Sequence, residues 1–335
     1  MTERVLVTGI SGFIAKHVAL ALLSAGYEVV GTIRSASAKD GVQKTLSESG
    51  DDSSRLLFRV ADLRSPSGWK EAIAGCRWVQ HIASPFPMKQ PRDREALVPA
   101  ARQGALRVIE AALAEGVERV VMTSSMAAMM YRPNRPQEII VHEGDWTDTS
   151  WAALSAYIIS KTRAERAAWD YVEKQDRKQS LTTINPGFVL GPALDSNIGT
   201  SLRVIEMILK GTILAVPPTS YPIVDVRDLA DLHVKAMTTP EAQGRRLIAA
   251  DRTLSMLDMA NLLRNSFPKA AQRIPRRELP GFLVHTLALF DPAFRSLVAD
   301  IGVRPTANAR YVTEMCGTKF RPAEEAVIDA AASII

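Results

Sequence analysis

Cysteine is nearly absent: the 335 residues include only two, Cys76 and Cys316. Two thiols make no disulfide framework, so stability must come from a packed core and a reducing cytoplasm is the expected setting. Long apolar runs are missing as well. The most apolar late stretch, Leu279 to Phe290, is broken by Pro280, Gly281 and His285. It falls far short of the ~20 residues a membrane span needs, so no membrane association is expected. The N-terminus, Met1-Thr2-Glu3-Arg4, runs straight into strand-like residues, which speaks against a signal peptide. Aromatic residues make up only 6%, and the net charge of +5 comes from 41 Lys and Arg scattered among 36 acids. The densest basic spot, Arg273-Ile-Pro-Arg276-Arg277, has no interleaved aromatics, so no nucleic-acid partner is expected. The histidines, His17, His81, His142, His233 and His285, show no paired ligand spacing, and no metal is expected. What the chain does have is 47% hydrophobic residues against 23% charged, which excludes disorder and supports a large core.

Short β-branched runs alternate with longer amphipathic stretches through the first two-thirds. Val5–Thr8, Glu28–Ile33, Leu56–Val60, Trp78–Ile82, Arg119–Met122 and Leu181–Ile184 read as strands. Helical spacing occupies about 13–25, 67–74, 94–115 and 155–177. Strands joined by crossover helices make a doubly wound parallel sheet, with its ligand site at the carboxyl ends of the strands. After about Gly187 Pro and Gly thicken, one last strand-like stretch appears at Arg246–Ala249, and the remainder looks mostly helical. The expected division is a dinucleotide-binding unit over 1–186 and 223–251, with a smaller substrate lobe over 187–222 and 252–335. The helices at 94–115 and 155–177 can face solvent or a twin, which leaves monomer and homodimer both open.

The first strand ends in Thr8-Gly9-Ile-Ser-Gly12-Phe-Ile-Ala15 and leads into a helix. Glycine permits the tight bend and the close approach of a pyrophosphate, and the helix N-terminus offers N–H groups to it. Gly9, Gly12, Phe13 and Ile14 are therefore the expected phosphate contacts, with Ala15 small enough for helix–strand packing. The second strand ends in Ile33-Arg34-Ser35 with Lys39 close behind, where an acid would select NAD. A guanidinium there pairs with a 2′-phosphate, so NADP(H) is the expected cofactor. Asp62 and Leu63 end the third strand, where the carboxylate can accept from the adenine amino group.

Tyr157 and Lys161 lie four apart in a helical stretch and share one face. A nearby ammonium lowers a tyrosine pKa, and the phenol can then protonate a carbonyl oxygen. Ser124 and Ser125 end the strand that begins at Arg119, at the same sheet edge as the glycine turn. Either hydroxyl can orient a substrate carbonyl.

Taken together, these stretches resemble an extended short-chain dehydrogenase/reductase of the dihydroflavonol-4-reductase-like branch, with its aldehyde and ketone reductases. The resemblance also draws on His81-Ile-Ala-Ser-Pro85, Met122-Thr-Ser-Ser125, Asn185-Pro-Gly-Phe-Val-Leu-Gly-Pro192 and Val224-Asp-Val-Arg-Asp-Leu-Ala-Asp231. It implies a Rossmann sheet with a smaller C-terminal lobe. It also implies Tyr157 as general acid, Lys161 on the nicotinamide ribose and Ser125, rather than Ser124, on the substrate oxygen. Ala83 and Ser84 would line the ribose, Pro186, Phe188 and Val189 would flank the nicotinamide, and Asp225 and Arg227 would be structural. Where plant relatives carry a polar residue five places after the serine, this chain has Met130, preceded by Met126-Ala-Ala-Met129. Such a lining suits a hydrophobic carbonyl compound, unless these methionines belong to the core. The expected activity is NADPH-dependent reduction of an aldehyde or ketone. The alternatives are an NAD-retaining epimerase or dehydratase and a non-catalytic dinucleotide sensor.

Overall fold

β-Branched runs that bury both faces can only sit in the middle layer of a sandwich, and the chain uses them so. The computed structural model describes residues 2–50, 53–85 and 91–335, and of the positions singled out above only Met1 lies outside them. The strands are β1 (Arg4–Val7), β2 (Glu28–Ile33), β3 (Leu56–Val60), β4 (Trp78–His81), β5 (Arg119–Thr123), β6 (Glu138–Val141), β7 (Leu181–Pro186), β8 (Phe188–Leu190), β9 (Ser220–Asp225), β10 (Arg246–Ala249), β11 (Thr253–Ser255) and β12 (Arg304–Ala307). The helices are α1 (Phe13–Ser24), α2 (Lys39–Glu48), α3 (Trp69–Ile73), α4 (Val98–Ala114), α5 (Ala156–Lys174), α6 (Gly199–Lys210), α7 (Val226–Thr238), α8 (Met256–Ser266), α9 (Gly281–Leu287), α10 (Pro292–Arg295), α11 (Arg310–Cys316) and α12 (Ala323–Ala332).

Seven strands form one parallel sheet in the order β10-β7-β5-β4-β1-β2-β3. Alternate side chains of β1 feed opposite cores: Val5 and Val7 pack with α1 and α7, whereas Leu6 packs with α4 and α5. The winding direction reverses between β1 and β4, which opens a crevice beyond their carboxyl ends. Arg119, fully buried in β5, donates to the carbonyls of Ala236 and Thr239 at 2.7 Å each and so caps α7. No helix among the described residues is long and apolar enough to cross a membrane.

The later segments differ from the expected mostly helical remainder. β8, β9 and β11 make a three-stranded sheet and β6 pairs with β12, so strands persist beyond Arg246–Ala249. The lobe boundary at 222/223 also cuts β9, a continuous strand bonded to β8 and β11; a boundary after Asp225 keeps it whole. Asp225 itself caps α7 and binds Arg227, which also holds Asp329 of α12.

Three buried imidazoles are stabilised neutral by the fold. Burial takes His17 down to about 4 and His81 and His233 to about 3. His17 bonds the carbonyl of Pro192, and His233 bridges Gln80 and Thr123. In the unfolded chain each has an ordinary pKa, so below about pH 6.5 only the unfolded state takes up these protons. Their contribution is complete above that pH and is lost as pH falls towards the native values. Asp300, raised by burial to about 6, works in the opposite direction but is a single group. Tm should therefore fall by roughly 10 °C between pH 7 and pH 4.5. Calorimetry across that range checks this, and a flat Tm would contradict neutral burial of the imidazoles.

Candidate active site

The glycine turn is held open by contacts that leave no room for side chains. Gly9 has φ +63° and its N–H donates to Thr32 Oγ1 of β2 at 2.9 Å. A Cβ at Gly9 would lie 2.9 Å from the Cβ of Ala83, so β1 and β4 approach this closely only through glycine. Thr8 Oγ1 accepts from the N–H groups of Ile82 and Ala83, each at 3.0 Å. Its own proton then goes to His81 Nδ1 at 3.1 Å, which places the imidazole proton on Nε2. Gly12 is the N-cap of α1 and offers it no side-chain acceptor. The first-turn N–H groups, those of Phe13 and Ile14 included, thus lack both intrahelical and capping partners. This cradle fits a pyrophosphate.

Beyond β2, Arg34 and Lys39 are exposed, with Lys39 opening α2. Asp62, after β3, is already engaged: its carboxylate accepts from the backbone N–H of Arg64 at 2.9 Å and from the Arg64 guanidinium at 2.7 Å. Arg64 first, and Arg34 as a smaller contribution, hold Asp62 down to about 2. The expected adenine contact must therefore share Asp62 with Arg64. Leu63 is buried, and its carbonyl accepts from Arg107. Two cations, Arg64 and Arg34, around one acid suit a 2′-phosphate and disfavour a bare ribose.

Ser155 caps α5 by accepting from Ile158 N, which sets Tyr157 in the first turn and Lys161 one turn on. Tyr157 and Ser125 share a side-chain hydrogen bond that favours the phenolate, yet burial outweighs it and raises the Tyr157 pKa above its ordinary value. The lowering expected from Lys161 is not among the influences acting on Tyr157. Lys161 is itself dehydrated, which brings it down to about 8 against the opposing charge of Glu165. The two serines part company here. Ser124 is buried and donates to Glu165 at 2.5 Å, whereas Ser125 is half-buried and meets Tyr157.

Ala83 and Ser84 follow β4 and are half-buried, with Ala83 against Gly9. Pro186 and Val189 are buried, and Phe188 stacks on Tyr221 with ring centroids 5.4 Å apart. A Cβ at Gly187, between them, would lie 2.2 Å from the carbonyl oxygen of Pro222, so only glycine lets β9 pass this close. Met130, the residue expected in the substrate lining, is buried. With 5% of its surface exposed, it packs with Met126, Met129 and Tyr131 in a core cluster onto which Tyr157 and Trp151 fold. Two features escaped the sequence reading. Glu165 was visible only as the next position on the Tyr157–Lys161 face. The group of Tyr131 and Tyr221 around Asp300 left no local signal, since the residues lie far apart in the chain.

Known proteins resemble this chain over most of its length. The NAD dependent epimerase/dehydratase family matches residues 5–249. Cinnamoyl-CoA reductase 1 of Petunia hybrida is 37% identical over 268 residues, 79% of this chain and 78% of that protein. A putative NADPH-dependent methylglyoxal reductase of Candida albicans is 31% identical over 81% of this chain and 85% of its own length. Among solved structures, the yeast methylglyoxal/isovaleraldehyde reductase Gre2 complexed with NADPH superposes with a TM-score of 0.81. Its sequence is 25% identical, with 99% of this chain and 98% of that one covered.

Proposed function

The chain belongs to the NAD-dependent epimerase/dehydratase family, in its extended short-chain reductase branch, and from this we propose that Ser125, Tyr157 and Lys161 carry the reduction of a carbonyl to an alcohol. The protein is an NADPH-dependent oxidoreductase of aldehydes or ketones. The observation that carries the residue assignment is the Tyr157–Ser125 hydrogen bond at the carboxyl edge of β5, beside the turn that fits the dinucleotide.

Gly9, Gly12, Phe13 and Ile14 would hold the pyrophosphate, with Arg34 and Lys39 on the 2′-phosphate and Asp62 and Leu63 near the adenine. Ala83, Ser84 and Lys161 would take the nicotinamide ribose, and Pro186, Phe188 and Val189 would flank the ring. When bound, NADPH supplies the hydride that reaches the carbonyl carbon. Ser125 donates to the carbonyl oxygen and fixes its direction, and Tyr157 delivers its phenolic proton to that oxygen as charge develops there. Lys161, one helical turn on from Tyr157, would hold its ammonium against the nicotinamide ribose. With a pKa of about 8 it is mostly protonated at neutral pH and loses that role in alkali. Residues 187–225 and 252–335 would form the lobe that selects a small hydrophobic carbonyl substrate. Cys76 and Cys316, both buried and unpaired, fit the reducing cytoplasm that we propose as its location.

A coenzyme-consumption screen over aromatic aldehydes, α-dicarbonyls, β-ketoesters and flavanonols tests this reading. NADPH oxidation with at least one hydrophobic carbonyl, and far slower oxidation of NADH, is the expected result. A purified protein that retains NAD tightly and turns over none of them would instead favour an epimerase or dehydratase.

A further inference from the structure

The carboxylate of Glu165 is fully buried and collects five donors. Oε2 accepts from Ser124 Oγ at 2.5 Å and Asn185 Nδ2 at 2.8 Å. Oε1 accepts from Arg246 Nε at 2.7 Å, Thr183 Oγ1 at 3.0 Å and Trp169 Nε1 at 3.4 Å. Apart from Trp169, these donors come from β7, β10 and the end of β5, so one side chain of α5 ties the helix to three strands. Asn185 continues the chain of bonds by donating to the carbonyl of Ser125 at 3.1 Å. Glu165 is also one turn beyond Lys161 and two beyond Tyr157, on the same helix face.

A buried carboxylate costs several kcal/mol unless fully paired, so stability alone does not call for an ion here; apolar residues serve as well. We propose that Glu165 is a positioning residue for the reaction assigned above: it fixes the α5 face carrying Tyr157 and Lys161 against the strand edge carrying Ser125. Its carboxylate, one turn along the helix, also favours the Lys161 ammonium. This inference rests on the roles given to Tyr157 and Lys161. Among the described residues Glu165 is the one carboxylate that acts on Lys161, and the Lys161 charge in turn disfavours protonation of the buried His81 of β4. From α4, Arg102 and Glu110 are exposed and Arg107 bonds the Leu63 carbonyl. Arg246 of β10 reaches Lys161 only through Glu165.

Glu165→Gln keeps the shape and removes the charge. In the free protein, NMR titration of Lys161 should then show its pKa lower by about one unit, because desolvation acts unopposed. NADPH affinity should stay within about twofold, while kcat falls about 30-fold through the lost alignment. The alkaline limb of kcat should move to lower pH with Lys161. Glu165→Asp retains the charge, so it should leave the Lys161 titration at its wild-type position and recover part of kcat. If Glu165→Gln fails to fold because Arg246 is left unpaired, Glu165→Gln with Arg246→Gln removes both charges and carries the same expectation. An unmoved Lys161 titration in the Gln variant, or an equal shift in the Asp variant, overturns the inference. Tyr157→Phe separates the two levels. If it is inactive while Glu165→Gln leaves Lys161 and kcat unchanged, only the positioning role falls; if it is fully active, the catalytic assignment falls and takes this one with it.

Discussion

Tyr157→Phe should lower kcat/KM for carbonyl reduction about a hundredfold to ten-thousandfold, the range expected when a positioned general acid is lost. The substitution removes one oxygen and keeps the ring. That ring packs on the cluster of Met126, Ile158 and Ile159, so folding should be little disturbed. The lost hydrogen bond to Ser125 is worth only about 1 kcal/mol, and NADPH binding should hold, because the phosphate cradle lies in β1 and α1. Turnover and coenzyme fluorescence measured on one preparation separate the effects: a dead enzyme that still binds NADPH is the expected outcome. Turnover near wild type would show that another group protonates the oxygen.

Arg34→Asp should reverse the coenzyme preference. A charge-assisted contact to a 2′-phosphate contributes about 1.5–3 kcal/mol, and an aspartate in its place adds repulsion. NADPH affinity should therefore fall about a hundredfold, while NADH, which lacks the phosphate, should bind within about threefold of before. Arg64, which acts on Asp62 together with Arg34, should leave some residual attraction, so NADPH binding should be weakened and not abolished. Equal losses for both coenzymes would mean that Arg34 serves only as a surface cation.

Much of the architecture was legible because its signals are local. β2, β3 and β10 coincide with the runs read for them, and α1, α3, α4 and α5 fall within the expected helical stretches. α2 escaped notice because Lys39–Glu48 is polar and contains Gly41, with only Val42, Thr45 and Leu46 turned inward. β11 and β12 have three and four residues, too short for a period of two to stand out.

The sequence by itself determined which candidate groups meet at the crevice. Gly9, Gly12 and Arg34 sit where a strand hands over to the next element, and Tyr157 and Lys161 share a helix face, so each pattern is set by neighbours along the chain. The tertiary structure decided what surrounds those groups. It turned Ser124 towards Glu165 and Ser125 towards Tyr157, buried Met130, and occupied Asp62 with Arg64. It also placed Asp300 between Tyr131 and Tyr221, 169 and 79 residues away in the chain. Desolvation and long-range hydrogen bonds depend on which segments meet, and a meeting of distant segments leaves no periodic trace in either one. The near lack of cysteine fits the same division: with no disulfides to hold it, this crevice is shaped by close glycine contacts and by one buried carboxylate.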